Sequence, residues 1–410
     1  MRIAYIVPYV PNQIRTRSYN LISSLAELGH DVDVFTLGSG EADLYDAEAL
    51  KAKCHQVYYR HQPLWRSLMN AGLAMPSREP LQSVYSWHPG LAAQFSSLLN
   101  ENGTHSVYDV VHVEHLRGSR YGLFVKSIFP SMPVVWDSVD CISYLFKQAA
   151  GQSRGLFGKL VTRFELERTR QAEGSLLGRF DHVLVTSETD KTALFQTAMD
   201  GEKKAPITVI PNGVDQKYFH INPDLERDAE TLVFSGKLSY HANISMVMSL
   251  YNEIMPRLWE KRPTVRLMVV GKDPPGEIRK LADSTRVFVT GTVEDIRPFL
   301  WEATAAVVPL GYGAGIQNKI LEAMATGTPV LTNSKVLSSL SITPGKELLI
   351  ADTPEDFAAS ALKLIENPDL CSMIGQAGLQ YVKKYHDWSK SARRMVDIYS
   401  TLDRSLESNL

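Results

Sequence analysis

The sequence predicts an α/β protein of two Rossmann-like domains, each a doubly wound parallel sheet facing the other across a cleft, with a C-terminal helix crossing back to the first domain. Length is the first reason: at about 100–200 residues per domain, a chain of 410 residues makes two domains, each able to bury its own core. The second is a series of short apolar runs without alternation, which fit strands covered on both faces. The third is that these runs alternate with stretches of helical period. Composition excludes the main competitors. Hydrophobic residues are 44% and charged residues 21%, too apolar for a disordered or fibrous chain. With 43 Lys+Arg against 45 Asp+Glu, the net charge of −2 offers no general positive field for nucleic acid. Cys54, Cys141 and Cys371 lie too far apart for a disulfide framework or a metal-ligand motif. The longest apolar stretches, such as Ala303–Leu310, fall far short of the roughly 20 residues of a membrane span. The opening MRIAYIVPYV is broken by Pro8 and lacks the features of a secretory signal, so a cytoplasmic protein is expected.

Taken in order, the elements begin with a strand at Ile3–Val7, a loop holding Pro8 and Pro11, and an amphipathic helix over Thr16–Glu27. Gly29 closes that helix and Val32–Thr36 is a second strand, so the first 36 residues form a βαβ unit. Further buried-looking strands are expected at Val57–Tyr59, Val110–Val113, Val134–Trp136 and Val183–Thr186, the last followed by a helix that Ser187 caps with Asp190 as partner. Turn signals gather over Lys203–Pro223, where the chain is expected to change domain. Beyond them, Leu232–Phe234 runs into Ser235-Gly236, and one helix is expected from about Asn243 to Leu258. Arg266–Val270 leads to Gly271, Val287–Thr290 to Gly291, and Ala305–Pro309 to a glycine-rich loop and a helix ending at Ala325. Pro329–Thr332 is the next strand, and Trp388–Leu406 reads as a terminal helix. The expected division is 1–205, 206–385 and 386–410.

The most informative stretch is Gly311-Tyr-Gly-Ala-Gly-Ile-Gln-Asn-Lys319-Ile-Leu-Glu322-Ala-Met-Ala-Thr-Gly-Thr-Pro329-Val. Gly311, Gly313 and Gly315 let backbone approach a ligand, and a helix starts directly after them. Its free N–H groups and positive dipole end suit phosphate oxygens. Gly315, Asn318, Lys319 and Glu322 share one stripe, opposite an apolar one of Ile316, Ile320 and Ala323. A lysine near phosphates supplies a point charge, and a glutamate one turn deeper can accept from two adjacent sugar hydroxyls. The pattern is neither GxGxxG nor a Walker loop, so dinucleotide binding and ATP hydrolysis are not favoured.

These residues resemble the retaining glycosyltransferases of the GT-B architecture, specifically the large family 4 (glycosyl transferases group 1). There a Glu, seven residues and a second Glu precede Ala-Met-Ala-x-Gly-x-Pro-Val, and Glu322 with Ala323–Ala325 and Gly327–Val330 fits the second half. Ala314 stands where the first Glu is expected. The variant Gly-Ile-Gln-Asn-Lys-Ile-Leu-Glu resembles a sub-branch associated with exopolysaccharide and exosortase-linked systems. Val209-Ile-Pro-Asn-Gly-Val-Asp215 with Phe219 matches the family's interdomain signature. The resemblance implies that Glu322 holds the ribose of a nucleotide-sugar donor and that Gly236, Lys237, Gly313, Gly315, Gln317 and Asn318 surround its diphosphate. It also implies that Val293 lies near the nucleobase. Asn243 occupies the position of a second family lysine, and Lys319 is expected to take over that charge. The implied donor is a UDP-sugar before a GDP-sugar, used as co-substrate with no cofactor and no metal.

On the acceptor side, Arg15 and Arg17 lie in the basic loop after the first strand, where the family has glycines. Asp109-Val-Val-His112-Val-Glu114-His115-Leu-Arg117 is a strand that turns polar at its exit, with His112 and Glu114 two apart and so on one face; this cluster, with His112 and His115, is expected to line the site, a hydrogen-bonded core histidine being the alternative. Asp137 and Asp140 end the next strand and are expected to orient an acceptor hydroxyl or stabilise charge at the anomeric carbon, with helix capping as the alternative. The expected activity is transfer of a sugar to a saccharide or lipid-linked saccharide with retention, Lys237 and Lys319 stabilising the departing nucleotide. A nucleotide-sugar 2-epimerase and a non-catalytic donor-binding protein of the same fold stay open. Tyr58–Met75 and Arg154–Arg170 mix aromatic, aliphatic and basic residues, a pattern for peripheral contact with anionic lipid or for ordinary surface helices.

Overall fold

A computed structural model describes residues 1–13, 15–100, 106–150, 156–198, 204–224, 227–311 and 317–407 of the chain. The chain forms two compact units, Met1–Pro211 with Trp388–Leu410, and Asn212–Asp387.

The first unit holds β1 (Arg2–Val7), β2 (Asp31–Gly38), β3 (Gln56–His61), β4 (Val110–Glu114), β5 (Val134–Val139), β6 (His182–Val185) and β7 (Ile207–Val209). They make one parallel sheet in the order β3-β2-β1-β4-β5-β6-β7. β1 and β4 are fully apolar along Ile3–Val7 and Val110–Val113 apart from His112, because helices cover both faces of the sheet. The helix Thr16–Glu27 buries Leu21, Ile22 and Leu25 on one of those faces. Against it packs the terminal helix Trp388–Glu407, whose Trp388, Ala392, Met395 and Tyr399 recur at helical spacing and are buried. Ser187 caps the helix Glu188–Phe195 by accepting from the Asp190 N–H.

The second unit holds β8 (Asp228–Ser235), β9 (Arg266–Val270), β10 (Val287–Val289), β11 (Ala303–Val308), β12 (Val330–Thr332) and β13 (Leu349–Ile350). Their order is β10-β9-β8-β11-β12-β13, again all parallel. Both sheets therefore reverse their strand order once, between β1 and β4 and between β8 and β11. In such sheets the ligand crevice opens at the carboxyl ends of those strands. Two details differ from the sequence reading. The expected helix Asn243–Leu258 is divided into His241–Ser249, a π turn at Leu250–Ile254 and Met255–Lys261. Pro256 has no N–H to continue the ladder, which favours a register shift just before it. The two-residue β13 is too short to carry a period and was not anticipated.

Candidate functional site

At the switch point of the second unit, Gly236 leaves β8 with φ 151° and Gly271 leaves β9 with φ 154°. A Cβ on Gly271 would stand 1.7 Å from the Gly236 carbonyl oxygen, so these two turns touch through backbone. A Cβ on Gly236 would lie 3.0 Å from Asn243 Nδ2 and 3.2 Å from Lys319 Nζ. Lys319, on the helix Asn318–Ala325 that follows β11, is 9% exposed. Its ammonium donates to Asn243 Oδ1 at 2.5 Å and lies 4.4 Å from the centre of the Phe234 ring. Asn243 Nδ2 donates in turn to the Lys237 carbonyl at 2.8 Å. One asparagine thus ties the turn after β8 to the helix after β11.

Burial pushes Lys319 down to about 7, with the Glu322 carboxylate pulling the other way. Glu322, one turn on, is pushed up to about 7 by burial, with Lys319 opposing. Lys237 is exposed, and Gln317 and Asn318 open the helix half-buried. Gly313, Gly315 and Ala314 lie outside the described residues. The start of their loop is held by two residues that sequence reasoning missed. Lys335 Nζ donates to the carbonyls of Leu310 and Gly311 at 3.1 and 2.5 Å, and Asn333 Nδ2 donates to Leu310 at 2.7 Å.

A cavity of about 340 Å³ opens at the carboxyl ends of β9 and β10, lined by Asp273, Pro274, Arg279, Thr290, Gly291 and Thr292 among others. Val293 follows directly but packs half-buried on the core. Asp295 in the same loop accepts a bidentate pair from Arg297 and a bond from Tyr218 O–H at 3.0 Å, which hold its carboxyl down at about 2. Tyr218 belongs to the Pro-Asn-Gly-Val-Asp segment, where Asp215 accepts from the N–H groups of Lys217 and Tyr218. That segment therefore braces the loop after β10 and does more than link two domains.

In the first unit the polar residues collect where β1, β4 and β5 end. Arg17 binds Asp137 through Nε at 2.9 Å and Nη2 at 2.8 Å, and donates to the Ile210 carbonyl at 3.0 Å. Arg17 is 6% exposed and Asp137 0%, so the pair is an internal brace; the sequence alone had placed both at the acceptor. His112 is also fully buried. It stacks on Tyr5 with 4.2 Å between centroids, and its Nδ1 shares a hydrogen bond with the Tyr399 hydroxyl at 2.8 Å. Its Nε2 has no hydrogen-bond partner and faces Asp137 Oδ2 at 3.9 Å. Burial lowers His112 to about 4, Asp137 opposing, so the ring is neutral near pH 7.

Glu114, which the sequence offered only as a neighbour of His112 in a polar cluster, is the centre of the group. Its Oε1 accepts from Tyr9 O–H and from Ser18 at 3.2 Å, and its Oε2 from Tyr5 at 2.8 Å. Burial pushes it up to about 7, reinforced by the charge of Asp137. Those partners lie 96 to 109 residues away, so no local pattern could reveal them. Arg15 is exposed, over the Tyr9 ring at 5.3 Å. His115 and Val139 leave β4 and β5 with φ of 64° and 66°. A positive φ is costly for a β-branched residue, and such strain concentrates at functional sites. His115 is half-buried, lowered to about 4 by burial and by Arg117. Asp140 is half-buried, accepts from Thr186 at 3.3 Å, and is pushed up to about 7 by burial and then by Asp190. It does not cap the next helix, whose first N–H groups go to Glu173, with Ile142 N at 2.7 Å. His115 and Asp140 thus follow the ends of the adjacent strands β4 and β5 and keep part of their surface, whereas His112, Asp137 and Arg17 are drawn inside.

Residues 14–213 match the glycosyl transferase 4-like domain, and residues 229–367 match glycosyl transferases group 1. The chain carries the two domains of a GT-B glycosyltransferase. A phosphatidyl-myo-inositol mannosyltransferase of Mycolicibacterium smegmatis is 25% identical to this glycosyltransferase chain over 417 residues, which cover 98% of this chain and 94% of that one. An uncharacterized glycosyltransferase of Methanocaldococcus jannaschii is 24% identical over 236 residues, and the match spans only 59% of its length. Among solved structures, HepE of Anabaena in complex with UDP superposes with a TM-score of 0.68 at 16% identity, over 98% of this chain and 100% of that one. At that identity the likeness is one of fold. Among the described residues no group of His, Cys, Asp and Glu could hold a metal ion, and no helix is long and apolar enough to cross a membrane.

Proposed function

We propose that this protein moves a sugar from a nucleotide-diphosphate sugar, a UDP-sugar first, to a hydroxyl of a saccharide or lipid-linked saccharide in polysaccharide or glycoconjugate synthesis. The observation that carries it is the Gly236–Asn243–Lys319 arrangement at the switch point of the second unit. The Gly236 turn, packed backbone to backbone on Gly271, brings main chain beside a largely desolvated ammonium that stands 3.2 Å from the position of a Gly236 Cβ. A cation in such surroundings is worth more to a developing phosphate charge than one in water. In this reading Lys319 and the exposed Lys237 stabilise the departing nucleotide diphosphate, the amides at the start of Asn318–Ala325 bind its oxygens, and Glu322 accepts from the ribose hydroxyls. The cavity beyond Thr290 takes the base. HepE, a neighbour in fold, is described in complex with UDP, which favours uridine. Asp140 and His115 orient the acceptor hydroxyl, and the Tyr9–Glu114 bond fixes the loop before them. Retention without a metal or a covalent sugar belongs to this reading through the family resemblance.

A thermal-shift screen of nucleotide sugars tests it. Ligand at about 100 Kd adds roughly 2.7 kcal/mol to the stability of the folded state, so a UDP-sugar hit followed by acceptor-dependent release of UDP is the expected result. Turnover of the nucleotide sugar without any acceptor indicates an epimerase, and binding without turnover a donor-binding protein.

A further inference from the structure

The helix Leu64–Ala74 is built inside out. Its inward face is small or polar: Ser67 and Ala74 are buried, and Asn70 donates to the Trp87 carbonyl at 2.9 Å. Its outward face carries Leu64, Trp65, Leu68 and Leu73, exposed by 61%, 59%, 59% and 73%, with Met69 at 46%. These positions follow i, i+1, i+4, i+5 and i+9, one continuous stripe. The sequence alone left open an ordinary surface helix packed by its apolar side, and the structure rejects that arrangement here. The helix is also firmly seated. Gln62 Nε2 donates to Ser67 Oγ at 3.2 Å at its start, and Arg168 donates to the Met75 carbonyl at 2.6 Å at its end. It follows directly from β3, on the same edge of the sheet as the carboxyl ends that carry Glu114 and His115.

Charge selects the occupant. From Arg60 to Arg78, the stretch that leaves β3 at the carboxyl edge and carries the helix, there is no Asp or Glu, against Arg60, Arg66 and Arg78. Arg60, His61 and Arg78 are exposed beside the stripe. A second copy meeting this face through itself would set like charges together. An apolar face rimmed by cations instead matches the interface of an anionic bilayer, with acyl chains under the stripe and phosphates beside the arginines. We infer that the Leu64–Ala74 face docks this protein on an anionic lipid surface. The inference does not depend on the donor reading, because it rests on a different unit and a different readout. If the acceptor is lipid-linked, docking by this face presents it to the carboxyl edge of the sheet.

Co-sedimentation of the full chain with phosphatidylglycerol-containing vesicles tests it, against pure phosphatidylcholine. Binding is expected on the anionic vesicles, weakened by salt and reduced about tenfold or more in Trp65→Ser/Leu68→Glu. The same variant should keep the circular dichroism spectrum and the urea unfolding curve of wild type, which shows that the unit carrying the helix is folded. Brominated acyl chains should quench wild-type fluorescence, and Trp65→Leu should bind normally yet lose most of that quenching. Equal binding to neutral and anionic vesicles, no binding at all, or a dimer in gel filtration that the double substitution dissolves would each overturn the inference.

Discussion

Replacing Lys319 with methionine keeps most of its volume and removes its charge from the site beside Gly236. If that ammonium binds the donor diphosphate, the loss of a charge-assisted bond costs about 1.5–3 kcal/mol, roughly a 10- to 150-fold rise in Kd for UDP. Proton balance gives a sharper reading. In the free protein Lys319 sits at about 7, so near pH 8 only about a tenth of it is charged. A bound diphosphate pulls the pKa well up, and binding near pH 8 should therefore take up about 0.9 proton at this residue. Glu322, also at about 7, is already about nine-tenths ionised near that pH and releases about 0.1 proton on gaining ribose hydroxyls. Net uptake of about 0.8 proton per UDP is expected, measured as the slope of calorimetric binding enthalpy against the ionisation enthalpy of the buffer. Lys319→Met should change that slope to a slight release. Moving the cation across the 2.5 Å bond, with Asn243→Lys and Lys319→Asn together, should recover much of the affinity. An unchanged Kd in the methionine variant refutes the role given to Lys319, and a wild-type slope of zero near pH 8 refutes its lowered pKa in the free protein.

Gly271→Ala should destabilise the second unit by about 3 kcal/mol in urea unfolding, because its Cβ would meet the Gly236 carbonyl and its φ of 154° suits only glycine; it should weaken UDP binding as well, and an unchanged midpoint contradicts the close approach. Glu114 has a folded-state pKa raised from 4.5 to about 7, so its contribution to stability is full below about pH 4.5 and lost as pH rises through about 7, on the order of 3 kcal/mol. The stability of wild type relative to Glu114→Gln should therefore fall by about that amount between about pH 5 and pH 8, and a difference that does not vary with pH contradicts the burial argument. Tyr399→Phe leaves His112 Nδ1 without its 2.8 Å hydrogen-bond partner, which should cost about 1–3 kcal/mol; an equilibrium unfolding curve superimposable on wild type would show that the bond is not needed.

The fold was legible where the code is local. Arg266–Val270 and Thr16–Glu27 read correctly from apolar period alone, and Ser187 with Asp190 from capping chemistry. The cluster around Gly236, Lys319 and Glu322 was partly legible for the same reason. Gly236, Lys319 and Glu322 sit next to strand ends, and turn glycines and helix starts announce themselves over a few residues. Asn243 read only as a missing lysine until the structure placed its amide on Lys319. The polar cluster where β1, β4 and β5 end was not legible. A basic loop looks solvated, yet Arg17 finds Asp137 120 positions away and is buried with it.

By itself, then, the sequence determined the order of strands and helices, the two-sheet class and the turns at which ligands could bind. These depend on contacts between residues one to four positions apart, where period, capping and backbone freedom act. Tertiary structure alone decided which charges are buried and which face of a helix looks outward. Desolvation depends on everything packed around a group, and most of that comes from distant parts of the chain. Lys319 and Glu322 become titratable near neutrality in this way. So does the apolar stripe of Leu64–Ala74 turn to the surface, because Ser67, Asn70 and Ala74 find their partners underneath.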